Sequence, residues 1–418
     1  MILLISFLIF LLLGVPIGIT TGLSSIIAMF NNGLGLDTAV QKMFSGVDSF
    51  SLMAIPFFIF AGDIMLEGGA SKKLINFANK LFGWISGGLP ITAVISSMFF
   101  AALSGSSPAT VAGIGGVMIP NLIENKYDRK FTVGLLCAAG SLGIIIPPSI
   151  TMMSYGVVSE QSISDLFIAA ILPGIFIGLT LIGYCYIYSK IKKHERMPFP
   201  SFKEVVVAFG EAFFSILMPV IVLGSIYSGI ATPTEAAAVS IVYSLVISLF
   251  IYKEIGFKDI FRIARKSVVT SAMIMFVIAC SKIFSWYLTF QQVPQKVAAS
   301  VLGIGNSPIL IMLAINVILL FVGMIMDSSA AVLILTPLFL PIIQGIGINP
   351  IHFGVVMIVN LAIGMLSPPF GLNLFVASGI SKMSLSEVIS GCIPFIVLLI
   401  VDLLIITFVP QLSLLLIG

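Results

Sequence analysis

Apolar residues fill this chain in long runs, without the alternation of a half-buried strand or the three-four spacing of a surface helix. Runs such as MILLISFLIFLLLGVPIGI at the start recur from end to end at about the 20 residues an α-helix needs to cross a bilayer, with short polar stretches between them. The pattern predicts crossings over about 1–30, 41–66, 166–188, 212–229, 235–251, 268–289 and 394–409. Two stretches fit no simple crossing. Residues 86–103 and 108–123 are apolar halves joined by Ser-Gly-Ser-Ser, with basic residues outside both ends, as in a re-entrant hairpin over 86–123 whose polar tip is buried at mid-depth. Residues 131–159 read as one helix interrupted at Pro147 and Pro148. A proline has no N–H for the helical ladder, so the break frees carbonyls that must find other partners in lipid.

The double proline occurs twice. Pro368, in GMLSPPF, stands 221 positions after Pro147 (368 − 147), and that offset carries Gly143 onto Gly364, Pro120 onto Pro341 and Pro173 onto Pro394. It also aligns the first tip with Met-Asp-Ser-Ser-Ala at 326–330, inside a second hairpin over 308–344 that precedes a second broken helix over 352–380. The chain is therefore expected to be a duplication, with one copy over 1–200, a connecting amphipathic segment and extra span over 201–234, and a second copy over 235–418.

Basic residues give the orientation, because Lys and Arg collect in cytoplasmic loops. Lys72, Lys73, Lys80, Lys126, Arg129, Lys130 and the run SKIKKHER fall in loops of the first copy, whereas those of the second hold little beyond Lys296 and His352. The copies should face opposite ways, with the amino terminus cytoplasmic and the carboxyl terminus periplasmic. The fold class expected is an all-α polytopic membrane protein, an inverted-topology repeat with two re-entrant hairpins and two broken helices of the elevator type. Residues 213–223 and 239–249 would belong to a fixed scaffold, tethered to the moving part by amphipathic connectors at 201–210 and 258–266.

Composition agrees with lipid as the solvent: 59% of residues are hydrophobic and 9% charged, against roughly 25% charged in soluble domains. The first run lacks a basic leader and a small-residue cleavage site, which predicts a retained span, and no appended soluble domain is expected. Cys137, Cys185, Cys280 and Cys392 lie far apart in apolar runs, and with His194 and His352 equally isolated they predict packing residues without metal or disulfide spacing. HExxH, GxSxG, paired intramembrane aspartates and GxxxxGK are missing, which argues against an enzyme or a nucleotide-driven pump. A channel also uses re-entrant segments, but duplication with broken helices favours alternating access.

Two tips and two breaks brought together at mid-depth would supply carbonyls, serine hydroxyls and helix ends. That chemistry suits a hard cation such as sodium and a carboxylate at a helix amino terminus. Ser106, Pro147, Asp327, Ser328 and Pro368 are candidates to face the substrate. Lys282, deep in an apolar span, can pair with a substrate carboxylate or snorkel to an interface. Thr232, Pro233 and Glu235 fit an N-cap, first-turn proline and capping-box glutamate.

The pairs SGSSPATVAGIGGVMIP with GSLGIIIPPSI, and GMIMDSSAAVLILTPLFLPI with IGMLSPPFGLNLFVASGI, together with TPTEAAAV at 232–239, resemble the large membrane subunit of the tripartite ATP-independent periplasmic (TRAP) transporters. The resemblance covers nearly the whole chain. It implies a sodium-coupled elevator importer of an organic acid, such as a C4-dicarboxylate or a sialic acid, in the bacterial inner membrane. A periplasmic substrate-binding protein and a small membrane subunit would be its partners, and nucleic acid would not. It also implies about two sodium ions, one held by Ser104, Ser107, Gly143, Ile146 and Pro148 and one by Gly323, Gly364, Ser367 and Phe370, mostly through backbone carbonyls. The second tip departs from the first, with Asp327 where the offset places Ser106. The alternative is a stand-alone sodium/carboxylate symporter that works without partner subunits.

Overall fold

A computed structural model describes residues 2–293, 295–296 and 307–417. Within them eight helices are long and apolar enough to cross a membrane, or nine when the bent pair over 129–159 counts as one span.

Two groups of helices organise the chain. The framework group contains α1 (Ile2–Leu12), α2 (Ile17–Asn31), α3 (Leu36–Val47), α4 (Ala54–Glu67), α11 (Phe202–Tyr227), α12 (Pro233–Val246) and α13 (Phe257–Phe290). The hairpin group contains α6 (Gly88–Ser104), α7 (Ser107–Glu124), α8 (Arg129–Ile145), α9 (Ile150–Ser159) and α10 (Ile163–Lys192), followed by α14 (Pro308–Ile325), α15 (Ser328–Gly345), α16 (Pro350–Gly364), α17 (Leu372–Ser381) and α18 (Leu385–Phe408). Between them α5 (Ala70–Phe82) packs on both α11 and α6.

The starts of α6 to α10 and of α14 to α18 differ by 220 to 222 residues (308 − 88, 328 − 107, 350 − 129, 372 − 150, 385 − 163), so the offset read from the prolines is also the offset of the helices. Packing is reciprocal between the copies. The second arm of each hairpin lies on the far half of the other copy's broken helix, α7 on α17 and α15 on α9. In the framework, α2 packs on α13 and α12 on α4. Small residues permit the closest approaches: at Gly134 of α8 and Gly391 of α18, an added Cβ on either would collide with the other helix's backbone carbonyl.

Local sequence explains most helix ends. Thr232 accepts from Glu235 N–H at 3.3 Å while the Glu235 carboxylate accepts from Thr232 N–H at 2.8 Å, closing the capping box expected at α12. Ser384 and Glu387 repeat the device at α18.

Five expectations need correction. Residues 1–30 do not form one crossing: Gly14 takes a left-handed φ of +74°, Val15 N–H bonds back to the Phe10 carbonyl, and Pro16 prevents continuation, so α1 folds back on α2 with Ile2 beside Asn31. The span expected over 41–66 is split by the end of α3 and the 3-10 turn Phe50–Met53. Lys72, Lys73 and Lys80 lie in no loop but on α5, whose Ala70, Leu74, Ile75 and Ala78 face inward while Lys72 faces out. The connectors at 201–210 and 258–266 are the first turns of α11 and α13, because no proline or cap interrupts the ladder before the spans that follow. His352 is likewise no loop residue; it is buried on α16 with Nε2 3.2 Å from the Thr407 carbonyl. The four cysteines are free thiols buried in the packing.

Candidate functional site

A cavity of about 580 Å³ separates the two groups. Asp63, Lys266 and Thr270 line it from α4 and α13, and Ser104, Ser106, Thr151, Asp327 and Ser328 line it from both hairpin tips and the first break.

The first tip is docked on the first break. α6 ends at Gly105, which turns the chain with φ +57°, and a Cβ there would lie 2.9 Å from the Pro148 carbonyl oxygen. Ile150 N–H donates to the Gly105 carbonyl at 3.4 Å. Ser104 Oγ lies 2.9 Å from Thr110 Oγ1, which donates to the Ser106 carbonyl at 2.9 Å. Gly143 of α8 faces the same atoms so closely that a Cβ would overlap the Ser106 carbonyl and come to 2.5 Å from Thr110 Oγ1.

The prolines decide which carbonyls stay free. In a continued helix the Gly143 and Ile144 carbonyls would accept from residues 147 and 148, and both are prolines without an N–H. Ser149 Oγ takes over at Ile144, donating to its carbonyl at 2.7 Å while capping α9. Nothing takes over at Gly143. Among the described residues no group donates to the carbonyls of Gly143, Ile146 or Pro148, and all three lie in buried or half-buried positions. Close approach holds the Gly105 turn of the first tip against the Pro148 carbonyl, and free carbonyls and serine hydroxyls are neutral oxygen donors, suited to a hard cation and unsuited to soft metals. Among the described residues no group of three His, Cys, Asp or Glu offers another kind of metal site.

The second set is more self-contained. Gly323 of α14 and Gly364 of α16 touch backbone to backbone, but the Gly364 carbonyl accepts from Ser367 N–H at 2.9 Å and the Ser367 carbonyl from Gly371 N–H at 3.2 Å. Phe370 N–H reaches back to the Met324 carbonyl at 3.1 Å, tying the second break to the second hairpin. The Gly323 and Phe370 carbonyls carry no described donor, and the other two keep a second lone pair. Pro147 and Pro148 are buried whereas Pro368 and Phe370 are exposed, so the two breaks differ in surroundings. Both double prolines contain a cis peptide bond.

The tip serines also reach across the repeats. Asn373 of α17 donates to Ser107 Oγ at 2.8 Å and to the Cys137 carbonyl at 3.2 Å, while Ser328 Oγ lies 3.3 Å from Thr151 Oγ1 of α9. Ser107 and Ser328 correspond at the 221-residue offset, so each hairpin is pinned to the opposite copy's broken helix by its first helical serine. Asp327 caps α15, accepting from Ser329 N–H at 2.9 Å and Ala330 N–H at 3.4 Å, and it lines the cavity. Lys282 stands apart: its stem lies over Gly46 of α3, outside the residues lining the cavity.

Sequence reasoning missed Thr110, Asn373, Thr151, Asp63 and Lys266. Asp63 carried a legible signal, an acid inside the apolar stretch FIFAGDIML. It accepts from Lys266 Nζ at 2.9 Å and from Ser267 Oγ at 2.7 Å. Nothing local marked Asn373, whose partners lie 266 and 236 residues away.

The family model for the tripartite ATP-independent periplasmic transporter, DctM component, matches residues 4–412. The chain is 44% identical to the C4-dicarboxylate TRAP transporter large permease protein DctM of Pseudomonas aeruginosa, over 89% of this chain and 87% of that one. It is 42% identical to the isethionate TRAP transporter permease protein DctMQ of Oleidesulfovibrio alaskensis, over 99% of this chain, and spans about 65% of that longer protein. In fold it is similar to the YdaH transporter of Alcanivorax borkumensis, with a TM-score of 0.61 at 13% identity, over 88% of this chain and 86% of that one. Neither permease relative is an enzyme by name, and the chain belongs to the DctM component family of tripartite ATP-independent periplasmic transporters.

Proposed function

We propose that the chain is the transporting subunit of a sodium-coupled importer of a small organic acid, working by an elevator motion of the hairpin group against the framework. One observation carries the reading of motion. Among the described residues no hydrogen bond or ion pair joins α1–α4 and α11–α13 to the hairpin group, whereas each group is bonded within itself: Lys266 to Asp63 and Arg262 to Glu67 in the framework, Ser107 to Asn373 and Thr180 to Asp402 in the hairpins. An interface with no hydrogen bond or ion pair across it can slide without breaking directional bonds in a medium that offers no replacements.

Charge supports cation coupling. Asp63, Asp327 and Lys266 give the cavity lining a formal charge of −1 (1 − 2), so an organic anion entering it needs cations beside it. The donor-free carbonyls of Gly143, Ile146 and Pro148 with the Ser104 hydroxyl are the first place for one. Gly323, Gly364, Ser367 and Phe370 are the second, completed by a small rearrangement at Gly364 and Ser367. The anion would lie between the tips, near Ser106 and Ser328, facing Lys266. Relatives named for a C4-dicarboxylate and for isethionate fit a site that recognises a compact anionic head group.

The test is a sodium titration of uptake in proteoliposomes. Ser104→Ala should raise the half-saturating sodium concentration about tenfold, the effect of losing about 1.4 kcal/mol of coordination. Ser107→Ala should act less on sodium and more on maximal rate, because its hydroxyl is engaged by Asn373. Unchanged sodium dependence in Ser104→Ala would remove the first site.

The tripartite family description brings a periplasmic binding protein and a small membrane subunit as partners. Uptake by the purified chain alone should stay near background and appear when both are added. Vigorous uptake of free substrate by the chain alone would favour the stand-alone symporter.

A further inference from the structure

A second cavity, of about 480 Å³, lies away from the transport site, where the chain passes between the two groups. Its walls are the elbow from α5 to α6, the end of α7, and the strap from α10 to α11. Four cations line it, Lys126, Lys192, Lys193 and Arg196, against two carboxylates, Glu124 and Glu195. The carboxylates do not absorb the cations: none of these six residues is in an ion pair among the described residues. His194 also lines the cavity, stacked on Tyr127 at 3.9 Å, and its buried Nδ1 has no hydrogen-bond partner.

Complementing the ends of α7 and α10 would account for Lys126 and Lys192, since cations favour helix carboxyl termini. It does not account for Arg196 and the His194 nitrogen on the strap. The surroundings supply the other half of a ligand. Trp84 is 40% exposed and packs edge-on against Phe199 at 5.1 Å, and Ile191, Phe199 and Phe202 are 72%, 75% and 85% exposed. Large apolar side chains, one a tryptophan, around a cationic cavity are the arrangement of a membrane interface, with acyl chains outside and a phosphate within.

We propose that this cavity binds the phosphate head group of an anionic phospholipid, with Lys126, Lys192, Lys193 and Arg196 as its counter-charges and its acyl chains against Trp84, Ile191 and Phe199. The position gives the lipid a task. Met197 N–H donates to the Gly83 carbonyl at 3.3 Å, so the strap is latched to the elbow, and these are two of the links between framework and hairpin groups. A lipid bridging them would set how readily the groups move without touching the substrate. Neither the sodium sites nor the elevator motion is needed for the binding itself.

Trp84 makes the test direct. In a Trp286→Phe background it is the sole tryptophan. The protein, purified in neutral detergent, is titrated with micelles carrying equal mole fractions of brominated phosphatidylglycerol or brominated phosphatidylcholine. Phosphatidylglycerol should quench Trp84 at several-fold lower mole fraction, and Lys126→Gln with Arg196→Gln should abolish the difference. Lys192→Gln with Lys193→Gln provides a second variant should the first be poorly folded. Equal quenching by the two lipids overturns the proposal, as does a preference that survives both variants. Inorganic phosphate that displaces the brominated lipid at millimolar concentration would make the cavity a free-anion site and overturn the lipid assignment.

Discussion

A single methyl group at Gly143 is expected to abolish sodium-driven uptake. Built on the present backbone it would overlap the Ser106 carbonyl and lie 2.5 Å from Thr110 Oγ1, and both belong to the docked tip of the first hairpin. Neither atom is the far end of a flexible side chain. The tip must lift away, and lifting it separates the Ser104 hydroxyl from the donor-free carbonyls of Gly143, Ile146 and Pro148. Overpacking of this kind costs roughly 1–3 kcal/mol. In a chain this large the fold should survive that cost, while the loss of the proposed cation site should lower uptake about 100-fold or more, since each 1.4 kcal/mol is a factor of ten. Gly116→Ala supplies the control, because nothing lies within 4 Å of a Cβ at that position on the same hairpin. Sodium-dependent uptake with wild-type half-saturation in Gly143→Ala would show that the tip and the break do not share an ion.

The second large effect concerns movement. Gly113 of α7 and Leu66 of α4 meet across the interface between the groups, where a Cβ at Gly113 would be 2.8 Å from Leu66 Cδ1. Cysteines at these two positions should be joined readily by a short bifunctional thiol reagent, and uptake should fall to background until the link is cleaved. All four native cysteines are buried and should not compete for the reagent. The partner of the hairpin in the framework is α4, since α12 packs on α4 and Gly62 of α4 lies against the backbone of Leu103 and Ser104. Full uptake with the link demonstrably in place would rule out sliding of α7 along α4 and leave a gate that moves only at the tips.

Much of this was legible in the sequence, for a physical reason. In lipid every backbone group needs an internal partner, so a crossing must be an apolar helix and an interruption must be tolerated for cause. Long apolar runs, two double prolines and two small polar tips therefore show without reference to anything distant, and one offset of 221 residues aligned the second hairpin and broken helix with the first. Gly143 follows from the same local rule, since the proline four residues later removes its partner.

What local rules omit is which surfaces meet. Asn373 reads as one more polar residue in a helix until folding brings it to Ser107. Asp63 and Lys266 lie 203 residues apart and become one wall of the cavity only because α4 packs on α13. Lys282, one apolar span's conspicuous charge, is carried to the opposite side by the same packing, and the first apolar run becomes a folded-back pair because α1 returns along α2. The sequence by itself determined the apolar helices, the breaks and the 221-residue spacing at which the helices recur, because those are set by backbone chemistry within a few turns. The tertiary structure decided the exchange of contacts between the two helix sets, the charged wall facing the tips and an interface without hydrogen bonds among the described residues, because each depends on pairs of faces whose complementarity exists only after the chain has closed on itself.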